Sequence, residues 1–132
     1  MQGLFSSESK VAAPKLNKLR SSQQYRAVYE RGTKFHTPYF TLFVCPTSEG
    51  APRIGMTVTR KIGPAVVRNR CKRRLREIAR RHTLSILGGV GCDLVINVKP
   101  GLVAADFEEI STAFVRALTR SRDLCAKSLR AG

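Results

Sequence analysis

Residues 65 to 82 constrain the fold more than any other stretch, because only a narrow stripe of them is fit to be buried. Val67, Cys71, Leu75, Ile78 and Ala79 recur at the three- and four-residue spacing that lines one side of an α-helix. Most other positions are cationic, with six cations and Asn69 inside the eleven residues from Val66 to Arg76. Pro64 suits the first helical position, since its missing N–H would be unpaired there anyway. The pattern predicts a helix from Gly63-Pro64 to about His82 that lays one face on a sheet. Like charges one turn apart repel by a few tenths of a kcal/mol per pair, so something outside the chain must offset them.

Charge identifies the class of that partner. The chain carries 24 Lys+Arg against 9 Asp+Glu, a formal net charge of +15, far beyond what solubility requires and suited to a polyanion. From Arg60 to Arg81 stand ten cations, mostly arginine, against one acid, Glu77. On a helical wheel Arg68, Lys72 and Arg76 follow each other at i,i+4. Asn69, Arg73 and Arg80 lie opposite the apolar stripe, and Arg70, Arg74 and Arg81 flank it. Guanidinium forks bind phosphate oxygens in pairs and stack on flat groups, which favours nucleic acid. A merely solvated basic face would intersperse signs. A membrane-surface helix would carry large Leu, Phe or Trp side chains on its stripe, where this one holds Val, Cys, Leu, Ile and Ala.

The length of 132 residues fits one domain with a single core. Residues 1–20 are polar and basic and read as a flexible N-terminal arm, 21–120 as the folded domain, and 121–132 as a basic, frayed tail. Ser21-Ser22-Gln23-Gln24 offers a capping box to a short helix bearing Tyr25, Val28 and Tyr29, which Gly32 ends. Phe35 to Val44 reads as one strand stretch and Ile54 to Val58 as another, with Leu94 to Val98 a mostly buried strand. Asp106 then opens a last helix in which Phe107, Ile110, Phe114, Ala117 and Leu118 face the core. The order of elements predicts an α+β domain, an antiparallel or mixed sheet packed by helices on one side.

No catalytic constellation emerges. His36 and His82 stand alone, the acids form no pair, and Gly88-Gly89-Val90-Gly91 lacks a nucleotide-binding pattern. Cys45, Cys71, Cys92 and Cys125 are too widely spaced for a zinc or redox motif and read as reduced thiols, with Cys71 packed in the core. The N-terminus has no secretory pattern and no stretch approaches the roughly 18 apolar residues of a membrane span, so the expected location is the cytoplasm. Tyr25, Tyr29 and Phe43 are candidates to stack on unpaired bases, each such contact contributing about 1–3 kcal/mol; the plainer alternative is that they pack on the core.

The stretch Gly55-Met-Thr-Val-Thr-Arg-Lys-Ile-Gly63-Pro-Ala-Val-Val-Arg68-Asn69-Arg70-Cys-Lys72-Arg73-Arg-Leu-Arg76-Glu77 resembles the signature of the bacterial ribonuclease P protein subunit family. The resemblance extends from about Leu19 to Leu118. It implies an α-β-β-β-α-β-α sandwich whose mixed four-stranded sheet contains a left-handed β-α-β crossover, contrary to the general rule of right-handedness. It also implies a division of labour. A large catalytic RNA with bound Mg²⁺ removes the 5′ leader of precursor tRNA, and the protein binds that RNA and the leader while holding no metal and needing no protein partner.

By the same resemblance Tyr25, Tyr29 and Phe43 line a leader-binding cleft, the two tyrosines replacing the commoner Phe. Arg60 and Lys61 match a basic pair at its edge, Arg60 in place of Lys, and Thr59 stands where Ser is common. Arg68, Asn69, Arg70, Lys72, Arg73 and Arg76 match the RNA-binding motif. Val98 departs from the pattern, standing where an arginine often precedes the lysine, which leaves Lys99 as the cation on that rim. The rival from another class is a ribosomal or general RNA-chaperone protein, which uses the same charge but needs no leader cleft.

Overall fold

Side-chain alternation along the longer strands gives this protein two unequal cores, one on each face of a single sheet. The computed structural model describes residues 16–48 and 50–131. In chain order the elements are β1 (Asn17–Lys18), α1 (Ser22–Arg31), β2 (Thr33–His36), β3 (Phe40–Pro46) and β4 (Pro52–Thr57). A 3-10 turn at Arg60–Ile62, α2 (Ala65–Leu87), β5 (Cys92–Val98), a second 3-10 turn at Pro100–Leu102 and α3 (Phe107–Ala131) complete the fold. The strands are ordered β1-β4-β5-β3-β2. The β2–β3 and β3–β5 pairs are antiparallel, while β1–β4 and β4–β5 are parallel. A parallel neighbour needs a long crossover, and α2 supplies it between β4 and β5.

The larger core lies under α2 and α3. Phe40, Leu42, Val44, Ile54, Leu94 and Ile96 face Cys71, Leu75, Ile78, Ile110, Phe114 and Leu118. The helical stripe read from the sequence is therefore the buried face of α2, continued beyond His82 by Thr83 and Leu87. Truncating a fully buried side chain such as Leu75 to Ala costs about 2–5 kcal/mol. On the other face Phe43 and Val95 meet Val28 of α1 and Leu19, a much smaller cluster.

The capping box holds α1 as its sequence predicts. The Ser21 hydroxyl accepts from the Gln24 N–H at 3.2 Å, and the Gln24 Oε1 accepts from the Ser21 N–H at 3.1 Å. Gly32 closes the helix, its N–H donating to the Val28 carbonyl at 2.8 Å.

Several expectations are corrected. Among the described residues the sheet has five strands instead of four, because Asn17–Lys18 adds to the edge of β4 and the Leu19 N–H donates to the Ile54 carbonyl at 3.0 Å. Two residues carry no readable alternation, so the fold begins inside the stretch assigned to the arm; residues 1–15 lie outside the described residues. The stretch from Phe35 to Val44 is a hairpin and not one strand. The Thr37 hydroxyl holds its turn, accepting from the N–H groups of Tyr39 and Phe40 at 3.1 and 3.0 Å. The tail expected from residue 121 is instead the last part of α3, in which Ser121 and Cys125 are buried. They continue the stripe of Phe114 and Leu118 at helical spacing, and the Ser121 hydroxyl is satisfied internally by donating to the Ala117 carbonyl at 2.7 Å.

Candidate nucleic-acid interface

With only ten residues, α1 is too short to cover the sheet face it packs on, and the strand register shows what it leaves open. Phe43 pairs with Val95, and Val95 with Gly55, forming a row beneath α1. The next row is polar: His36 pairs with Thr41, Thr41 with Asn97, and Asn97 with Thr57. This row floors a trough whose wall is α1.

Tyr25 and Tyr29, one turn apart, are half-buried at that wall. The Tyr25 ring lies directly over Gly55, where no side chain intervenes. The Tyr29 hydroxyl donates to Asn97 Oδ1 at 2.8 Å and lies 2.7 Å from the Thr57 Oγ1. Its ring meets Phe43 edge-on, with centroids 4.9 Å apart and planes at 86°, the geometry preferred by aromatic quadrupoles. Phe43 itself is only 8% exposed, and the Lys34 ammonium sits 5.6 Å from its ring centroid. Its ring face is thus occupied, and Phe43 supports the wall where the two tyrosines offer surface.

The parallel strands β4 and β5 finish at the same end of the sheet, which is also where α2 begins. Arg60 and Lys61 are exposed in the 3-10 turn after β4. Lys99, just past β5, donates from Nζ to the Thr37 carbonyl at 2.8 Å, which ties the rim of the trough to the β2–β3 turn. Val98 points the other way, pairing with Phe40 and packing against the main core.

The arginine helix occupies the opposite layer. Asn69, Arg70, Arg73 and Arg76 are exposed, and Arg68 and Lys72 are half-buried. The candidate residues therefore form two surfaces that meet at one end of the sheet, an aromatic and polar trough with lysines beside it and a guanidinium-rich helix. Some cations of α2 have internal duties. Arg68 Nε donates to the Gly63 carbonyl at 3.1 Å. Arg74 reaches the carbonyls of Leu102 and Ala105 at 3.5 and 2.5 Å. Arg80 and Arg81 pair with Glu77 at 2.6 and 2.8 Å, and hydrogen bonds from Arg80 and then Arg81 hold the Glu77 carboxyl below its ordinary value. Burial pushes the Cys71 thiol up despite Arg74 and Arg70 nearby, in keeping with a packing role.

Asn97, Thr57 and Lys34 were not singled out from the sequence. One signal was available: Asn97 interrupts the apolar run from Leu94 to Val98 with an amide where a buried strand has no use for one. Among the described residues no three His, Cys, Asp or Glu side chains converge to hold a metal ion. Among them, too, no helix is long and apolar enough to cross a membrane.

Residues 13–122 match the family model described as Ribonuclease P. The ribonuclease P protein component of Citrifermentans bemidjiense is 37% identical over 109 residues, covering 83% of this chain and 91% of that protein. That of Desulfovibrio desulfuricans is 38% identical over 111 residues, covering 81% and 84%. The solved ribonuclease P protein of Thermotoga maritima superposes with a TM-score of 0.70 at 27% identity, covering 79% of this chain and 96% of that one. The family that the arginine helix resembles is thus met again over both the sequence and the fold, and the chain belongs to the ribonuclease P protein component family.

Proposed function

We propose that this chain is the protein subunit of a ribonucleoprotein that matures the 5′ end of tRNA, acting in the cytoplasm. It binds a large catalytic RNA and the single-stranded 5′ leader of precursor tRNA. The observation that carries this reading is the half-covered sheet face, whose tyrosine wall and polar floor open at the end where Arg60, Lys61 and Lys99 gather. Extended leader lies along the trough, with bases against Tyr25 and Tyr29 and phosphates toward those three cations. Phe43 stiffens the wall from beneath. Arg68, Asn69, Arg70, Lys72, Arg73 and Arg76 on the other layer contact phosphates of the RNA subunit. Phosphate contacts of this kind position without reading sequence.

The endonucleolytic cut belongs to the RNA subunit, with Mg²⁺ held mainly by that RNA. The purified chain, incubated with precursor tRNA and Mg²⁺, is expected to give no 5′ maturation until the large RNA is added. Efficient cleavage by the protein alone would overturn this division of labour.

A further inference from the structure

The floor of the trough holds a group that charge and stacking do not explain. The Tyr29 hydroxyl has one hydrogen, and it goes to Asn97 Oδ1 at 2.8 Å; the 2.7 Å contact with Thr57 is then a hydrogen bond donated by the Thr57 hydroxyl to the Tyr29 oxygen. In this relay, Thr57 to Tyr29 to Asn97, the amide oxygen is the end that meets Tyr29. The amide oxygen is held against α1, and the Asn97 Nδ2 donates to no protein group among the described residues. It is not sealed either, since the Thr83 Oγ1 is the one side-chain nitrogen or oxygen among them that is both buried and unpartnered. Asn97 thus keeps an unpartnered amide nitrogen, not fully sealed from solvent, in the middle of a four-strand polar row, on a strand between Thr41 and Thr57.

Groups around it are suited to other work. Lys99, Arg60 and Lys61 carry full charges, which outcompete a neutral amide for phosphate oxygens. An amide donor fixed on a strand is suited to a ring nitrogen or carbonyl oxygen on a base edge, where orientation matters. We infer that Asn97 is a specificity-determining residue, donating a hydrogen bond to an acceptor on the base of the leader nucleotide seated against Tyr29. Tyr29 has a second task as the positioning residue of that amide. This rests on the leader-binding reading above.

The test uses the enzyme reconstituted with its RNA subunit and precursor tRNAs whose leaders carry each of the four bases in turn at every position along the trough. Wild-type affinity is expected to vary among the four bases at one position. Asn97→Ala flattens that spread, lowering affinity for the preferred base by about 2- to 10-fold, the range for one lost hydrogen bond, and it leaves the salt dependence unchanged because no phosphate contact is lost. Tyr29→Phe keeps the ring but releases the amide, and it flattens the spread at the same position. An Asn97→Ala spread equal to wild type overturns the inference, as does an equal loss for all four bases, the mark of a sugar contact or a structural role. The two readings fail separately. If wild type binds leader-bearing and mature tRNA alike, the leader-binding reading fails; if it distinguishes them while Asn97→Ala changes no base preference, only the role of Asn97 is lost.

Discussion

Gly55 and Tyr25 share a contact with no space for a side chain: a methyl group at residue 55 would stand 2.5 Å from the Tyr25 hydroxyl oxygen and 2.6 Å from its Cζ. The glycine lets the hydroxyl end of the first tyrosine of the wall pack closely against β4. Gly55→Ala is expected to lift that ring. Overpacking of this kind costs about 1–3 kcal/mol, and the substitution should weaken leader binding while leaving binding to the RNA subunit alone intact. A crystal structure of the variant with Tyr25 unmoved, or unchanged affinity for leader-bearing tRNA, would contradict it.

Cations on α2 should separate into two groups on substitution. Arg73 is exposed and has no protein partner among the hydrogen bonds and ion pairs described, so Arg73→Ala lowers the log–log salt slope of RNA binding by about 0.7–0.9 and barely alters the melting temperature. Arg74 ties α2 to the loop before α3 through the carbonyls of Leu102 and Ala105. Arg74→Ala should instead destabilise the fold by about 1.5–3 kcal/mol, the range for hydrogen bonds to a charged group. Denaturant titrations and salt-dependent binding of both variants check this, and equal behaviour would refute the assignment.

Glu77 gives a pH signature. Because Arg80 and Arg81 hold its folded-state carboxyl below the ordinary 4.5, it favours the folded state above that value and loses the contribution as pH falls through the lower, folded one. Glu77→Gln is therefore expected to melt slightly below wild type near neutral pH. The gap should close as the pH drops beneath the ordinary carboxylate value. Thermal melts across the acidic range decide, and a gap that persists at the lowest pH would show that Glu77 stabilises by packing and not by charge.

The end of α3 is structural despite its basic composition. A chain ending at residue 120 loses the buried Ser121 and Cys125 and the partly buried Leu124 that cap the main core. Fully burying a side chain of Leu size is worth about 1.5–3 kcal/mol, so the truncated chain should unfold at markedly lower denaturant. An unchanged midpoint would restore the idea of a frayed tail.

What the sequence made legible follows from how strongly each element announces itself. The stripe from Val67 to Ala79, the Ser21–Gln24 capping box and the Gly32 stop are local patterns, and the structure reproduces each. The β2–β3 turn did leave a signal, since Phe35 stands five residues before Phe40 and is out of phase with the alternation of Phe40, Leu42 and Val44, with Thr37-Pro38 between them. Strand β1 was missed because two paired residues make no pattern. The three segments between α1 and α2, and the place of β5 beside β4, came from family resemblance, since pairing partners far apart in the chain leave no local trace. At the candidate site charge and aromatics could be read from the residues. The separation of the arginine helix from the tyrosine wall by the thickness of the sheet could not, nor could the occupation of the Phe43 ring face by Lys34. Both depend on which way a side chain leaves its strand.

The measurement that bears most directly on the central claim compares affinity for precursor tRNA with affinity for mature tRNA, using reconstituted enzyme carrying wild-type protein or the Tyr25→Ala, Tyr29→Ala pair. With aromatic stacking contributing about 1–3 kcal/mol per base, the account predicts that precursor binding weakens by at least about 5-fold while mature tRNA binds as before. Equal losses for both RNAs would contradict it, leaving a basic RNA-binding protein without a leader trough.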